Sequence, residues 1–153
     1  METACEFPVR DRSFVPVNFD VIQFRASQAD RKTETHADWS LSYDPEPIHE
    51  DAIVVIGALH VGGPGGWADI SVGSFFLPSG AEGEADLPSS IATSEAAETL
   101  YDFARSHLKS FLGLIGADIV IPRKAPEPEV ENMADEQLVE VPESSPNGGA
   151  ITE

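Results

Sequence analysis

The sequence predicts an α+β fold: a four-stranded antiparallel sheet, connected as a meander, followed by one long amphipathic helix. Three observations predict it. Four segments rich in β-branched and aromatic residues, each bounded by turn or polar chemistry, fill the first half of the chain. A later stretch, TLYDFARSHLKSFLGLIG, carries apolar residues at helical spacing. Beyond Arg123 the composition turns to Pro, Glu, Ser and Gly, which ends the foldable part.

The elements follow in order. Residues 1–13 are mixed and polar and are expected to lack order. Phe14 to Ala26 (FVPVNFDVIQFRA) is the first strand, with Val15, Val17, Phe19 and Val21 alternating on one face. Ile22 and Phe24 then shift the phase, which predicts a bulge or kink. Pro16 favours an edge or strand-start position, because it has no N–H for a second neighbour. Ser27 to Asp38 is wholly polar and reads as a long connection. WSLSY is the second strand, with Trp39, Leu41 and Tyr43 on one face and Ser40 and Ser42 on the other. DPEPIHED is a turn. AIVVIGALHV is a continuous apolar run, expected as a covered central strand. GGPGG turns the chain into WADISVGSFFL, the fourth strand.

Ser79 to Thr93 reads as a Gly/Pro/Ser loop. Ser94 is a suitable N-cap, with Glu95 and Glu98 in the first turn. Ala97, Leu100, Tyr101, Ala104, Leu108, Phe111, Leu112 and Ile115 form the apolar face, and Gly116 suits the C′ position. IVIP is a short extended return. The expected organisation is therefore residues 1–13 as a disordered arm, 14–122 as the domain and 123–153 as an acidic, largely disordered tail. A short helix within the tail is an alternative, since Val130, Ala134, Leu138 and Val141 have helical spacing.

Charge and composition exclude several functions. An apolar fraction of 41% is enough for a core. The chain has 27 acids against 9 Lys and Arg, a net −18, and residues 123–153 hold eight of those acids and two of the bases. The acidic body that remains repels phosphate backbones, which argues against a nucleic-acid partner. It suits a basic partner, or solubility while apolar surface is exposed. Cys5 stands alone, so neither a disulfide framework nor a cysteine zinc site is available. METACEFPVRDRS has no apolar signal-peptide core, and no run approaches membrane-spanning length. The expectation is a cytoplasmic protein without direct membrane insertion.

Candidate chemistry is sparse. Asp102, Ser106 and His107 lie within six residues, but at about 100° per residue Asp102 and His107 point about 140° apart. A catalytic triad needs side chains that converge. His36, His49, His60 and His107 form none of the spacings of zinc sites. GGPGGW lacks the Lys-Ser/Thr of a phosphate loop and sits between two strands. Asp44, Glu46, Glu50 and Asp51 are interrupted by prolines and do not match a calcium loop. The expectation is a protein that is not an enzyme and needs no cofactor or metal. One helix covers one face of a sheet, and Trp39, Tyr43, Phe75, Tyr101, Phe103 and Phe111 exceed what a small core requires, so self-association is expected.

This order of elements in an acidic chain resembles the SecB protein-export chaperones. Leu100, Tyr101, Phe103, Ala104 and Arg105 are similar to the LFPYAR stretch that opens that family's first helix. Asp38 and Trp39, after the long polar connection, resemble the family's DW at the end of its crossover loop. Asp69, Ile70, Gly73 and Phe76 fit its E-V-x-x-G-x-x-F strand. The resemblance spans about Phe14 to Pro122. It implies an ATP-independent holdase for unfolded or nascent polypeptides, assembled as a dimer of dimers. It assigns Trp39, Tyr43, Tyr101 and Phe111 to client or subunit contact, and Asp20 and Asp69 to docking of the SecA export motor. The family's docking strand carries acids where an ungapped comparison places Val21 and Arg25; a one-residue bulge brings Asp20 back, while Arg25 still reverses a charge. Two alternatives stand beside export: a chaperone for the antitoxin of a toxin–antitoxin pair, and a non-catalytic acidic module for one basic partner.

Overall fold

A computed structural model describes residues 13–28, 34–49, 51–79 and 86–135. The elements are β1 (Ser13–Gln28), β2 (His36–Tyr43), β3 (Ile53–Gly63), β4 (Gly66–Ser79), α1 (Leu87–Ala92), α2 (Glu95–Ile115) and β5 (Glu129–Asn132). The fold class is α+β, as the sequence predicts, but the sheet is five-stranded and mixed, in the order β1-β4-β3-β2-β5.

Two corrections to the predicted sheet follow. The four long strands are antiparallel to their neighbours but do not form a simple meander: β1 pairs with β4 along its length rather than with β2. Its apolar side chains explain the choice. Phe14 meets Phe76 of β4 at 5.7 Å between ring centroids, Phe19 meets Phe103 of α2 at 5.1 Å, and Phe24 meets Phe111 at 4.7 Å. Pairing with β4 sets Phe14 against that strand's own Phe76 and brings Phe19 and Phe24 under the helix that follows. The fifth strand is parallel: Glu129 to Asn132 run beside Ser40 to Tyr43. It comes from the region predicted to be tail. Residues 136–153, with most of the alternative helix, lie outside the described residues, as do residues 1–12.

β1 carries two bulges. One is the phase shift expected at Ile22, between Val21 and Gln23. The other lies between Val17 and Asp20, where Asn18 has φ 57°. Together they keep Phe14, Phe19, Val21, Phe24 and Ala26 against the core. They also correct the predicted face, since Val15 stands on the opposite side at 46% exposure.

In β3 and β4 the burial alternates cleanly, and the inward residues Val55, Leu59, Val61, Ile70, Val72 and Phe76 are buried. α2 lies on this inner face through Leu100, Tyr101, Ala104, Leu108 and Leu112. Its ends are those the sequence predicts. The Ala97 N–H donates to the Ser94 hydroxyl at 3.1 Å, and Gly116 closes the helix at φ 71°. The predicted 79–93 loop instead contains α1, with Pro in its first turn and Ile91 buried. No helix among the described residues is long and apolar enough to cross a membrane.

Candidate functional site

Three of the four side chains assigned to client or subunit contact are in the core. Trp39 is 3% exposed, Tyr43 4% and Tyr101 0%. Trp39 packs edge-on against Tyr101 at 5.2 Å. The outer edge of its indole occupies the space at Gly57, where a Cβ would collide with the ring. Phe111 is half-buried against Phe24. Burial raises the pKa of the Tyr101 phenol, and burial with the nearby Asp135 raises that of Tyr43. Neither phenol is poised to ionise near neutral pH.

Trp39 nevertheless lines a groove. Ala92, Ala97 and Glu98 line it with Trp39 on one side, and Lys124, Ala125, Pro126, Glu127 and Pro128 line it on the other, around a space of about 260 Å³. Beyond this stretch, β5 takes the edge of β2, with Val130 beside Leu41 and packed on the core. Glu129 and Glu131 face solvent. The groove and the β2 edge are continuous, because Trp39, Leu41 and Tyr43 lie along one strand face.

The outer face of the sheet holds the two acids assigned to motor docking. Cross-strand register lines up Arg25, Asp69, His60 and Asp38 from β1, β4, β3 and β2. Arg25 donates to Asp69 Oδ2 at 3.1 Å, and Asp69 Oδ1 is taken by His60 Nδ1. Both carboxylate oxygens are thus engaged. The Arg25 guanidinium also lies 6.0 Å from the Trp67 ring centroid. His36 lies tilted beside His60 at 5.3 Å and donates from Nδ1 to the Glu34 carbonyl at 3.1 Å. With Trp67, Asp69 and three glycines, these imidazoles line a cleft of about 360 Å³. Asp20 is exposed, apart from that cluster, in an apolar depression with Ile22, Val54, Ile56 and Phe75. The bulge does bring Asp20 onto the same outer face as Asp69.

His107 donates from Nδ1 to the Phe103 carbonyl at 3.0 Å and packs on the Phe103 ring. Asp102 and Ser106 are exposed. The helix cluster therefore does not converge. Among the described residues no group of three or more His, Cys, Asp or Glu side chains is arranged to hold a metal ion. Sequence reasoning missed the segment beside Trp39, because it comes from a stretch whose composition reads as tail. Its single local signal was the E-V-E-N alternation at Glu129–Asn132.

The architecture belongs to a known class of fold. A bulged edge strand, a three-strand meander and a long helix across one face make a SecB-like fold. Among solved structures the chain is similar to the SecB-like chaperone Rv1957 of Mycobacterium tuberculosis, determined in complex with a ChAD peptide from the HigA1 antitoxin Rv1956. The TM-score is 0.53 at 15% identity, over 74% of this chain and 88% of that one. No family model matches the chain, and no curated protein matches it.

Proposed function

We propose that the protein is a SecB-like chaperone that holds extended segments of unfolded polypeptides without ATP or catalysis. The observation that carries this reading is the fold shared with a SecB-like chaperone that was determined with a peptide bound. The β2 edge accepts an added extended strand, β5 of the chain itself in this structure, and the groove beside Trp39 adjoins it. The net charge of −18 keeps a protein soluble while such a surface is open.

Within this reading, a client supplied by a toxin–antitoxin system is favoured over export. The neighbour's ligand is an antitoxin peptide. Asp69, one of the two acids assigned to SecA, is committed to Arg25 and His60. A homo-oligomer in the cytoplasm completes the proposal. The exposed apolar outer residues Val15 and Ile22, beside the half-buried Phe75, provide surface for such contacts.

The test combines light scattering for mass with aggregation of a reduced, unfolded client. An oligomer that keeps several unrelated clients soluble at near-stoichiometric ratio supports the reading. Loss of binding with rising salt, and selectivity for one folded basic protein, would instead support an acidic single-partner module.

A further inference from the structure

The chain after α2 has two parts that differ in how they are held. Ile119 and Ile121 are buried. The Pro122 carbonyl that follows accepts two hydrogen bonds from α2, from the Tyr101 hydroxyl at 2.6 Å and Arg105 Nε at 3.0 Å. The return is therefore anchored up to Pro122. The next ten residues, 123–132, run past the Trp39 groove and along β2, held by Ala125 and Val130 against the core, by the Tyr43–Asn132 hydrogen bond and by a short ladder. Pro126 and Pro128 have no N–H to donate. β5 makes four ladder positions in parallel pairing, which is weaker per residue than antiparallel. Val130 is the one β5 side chain packed on the core as a hydrophobe.

What the segment covers is specific. Lys124 to Pro128 line the groove that Trp39 also lines, and Glu129 to Asn132 pair with Ser40 to Tyr43. These are the backbone edge and the side chains that an extended peptide adding to the sheet would use. An unprotected strand edge next to an apolar groove invites pairing by any unfolded chain, and here the chain's own segment occupies it.

We propose that residues 123–132 are an exchangeable strap, an intramolecular stand-in for the client, hinged at the Pro122 anchor. The surface beneath takes an extended, unfolded polypeptide segment in the same parallel register, with an aliphatic residue in the place of Val130. Neutral or basic residues at the positions of Glu129 and Glu131 suit a partner for so acidic a body. Tyr43 is ladder partner to Asn132 and loses that neighbour when the strap leaves, while Trp39, held by Tyr101 and Gly57, stays as a fixed wall of the opened groove. The inference rests on the chaperone reading above and specifies its site.

A reversible lock tests it in the full chain. Ser42 and Glu131 are ladder partners on the outer face. Ser42→Cys with Glu131→Cys, in a Cys5→Ser background, ties the strap down when oxidised and frees it when reduced. A second variant, Val130→Asp with Glu131→Pro, releases it permanently. The probe is fluorescently labelled, reduced and carboxymethylated α-lactalbumin, a permanently unfolded chain; circular dichroism confirms the fold of each variant. The expected result is at least about tenfold weaker probe binding by the oxidised lock, recovery on reduction, and tighter binding by the released variant, since apparent affinity scales with the open fraction. Equal binding by locked, reduced and released forms overturns the strap while leaving the chaperone standing. No binding by any form, released included, overturns the chaperone reading and the strap with it.

Discussion

The two edges of the sheet are built by opposite means. At one edge β1 runs sixteen residues, Ser13–Gln28, antiparallel to β4, and inserts three aromatic rings toward Phe76, Phe103 and Phe111. At the other, β5 has four residues, pairs parallel, and sends Val130 inward. The first edge is welded into the core by side chains. The second is closed by a four-residue ladder, with Ala125 and Val130 as its small apolar contacts to the core. An edge held mainly by its ladder is exchangeable in a way that an edge held by buried rings is not, because ladder bonds can be replaced by another chain or by water at little net loss.

The largest effect expected from this contrast is at the welded edge. Phe76 is fully buried and carries the Phe14 contact, so Phe76→Ala should cost about 3–5 kcal/mol, read as a lower midpoint in urea unfolding. A loss near zero would mean that β1 is not held by its rings.

An intermediate effect is expected at the anchor between the two. Tyr101→Phe removes one of the two hydrogen bonds on the Pro122 carbonyl and should cost about 1 kcal/mol. The substitution also changes the response to alkali. Burial raises the phenol pKa in the folded protein, so the folded state keeps its proton longer than the unfolded one. The stabilisation from Tyr101 is complete below about pH 10. It is lost as pH rises above that through the folded-state value. The Phe variant should show a shallower alkaline decline, with the remaining slope coming from Tyr43, whose pKa moves the same way. An unchanged alkaline profile would show that the Tyr101 phenol is not the titrating group.

The smallest effect should be at the strap. Val130→Ser should change stability by about 1 kcal/mol or less, since the side chain is only half-buried. Hydrogen exchange sharpens the comparison further. The Glu129–Asn132 amides should exchange at least about a hundredfold faster than those of β3 and β4, because they open without disturbing the core. Equal protection at both edges would erase the distinction.

Much of the fold was legible because its signals are local. The α2 face from Ala97 to Leu112, the Ser94 cap, the Gly116 stop and the bulge at Ile22 can all be read from spacing, and the structure has them. The candidate site was legible only by half. Trp39 and Tyr43 stand out in WSLSY, yet nothing near them in the sequence says that Lys124 to Asn132 lie beside them. The acids tell the same story. Asp69 reads as a free docking acid until register places Arg25 and His60 on its two oxygens.

By itself, then, the sequence determined the elements, their caps and the apolar faces, since helical and strand periods are properties of neighbouring residues. Tertiary structure alone decided that β1 lies beside β4, that the Asn18 bulge turns Val15 outward, and that an acidic, proline-rich stretch becomes β5. Each of these depends on which strand edge is free and which rings lie beneath the helix. Such non-local pairings leave no period in the chain, because their free energy resides in contacts between segments far apart in it.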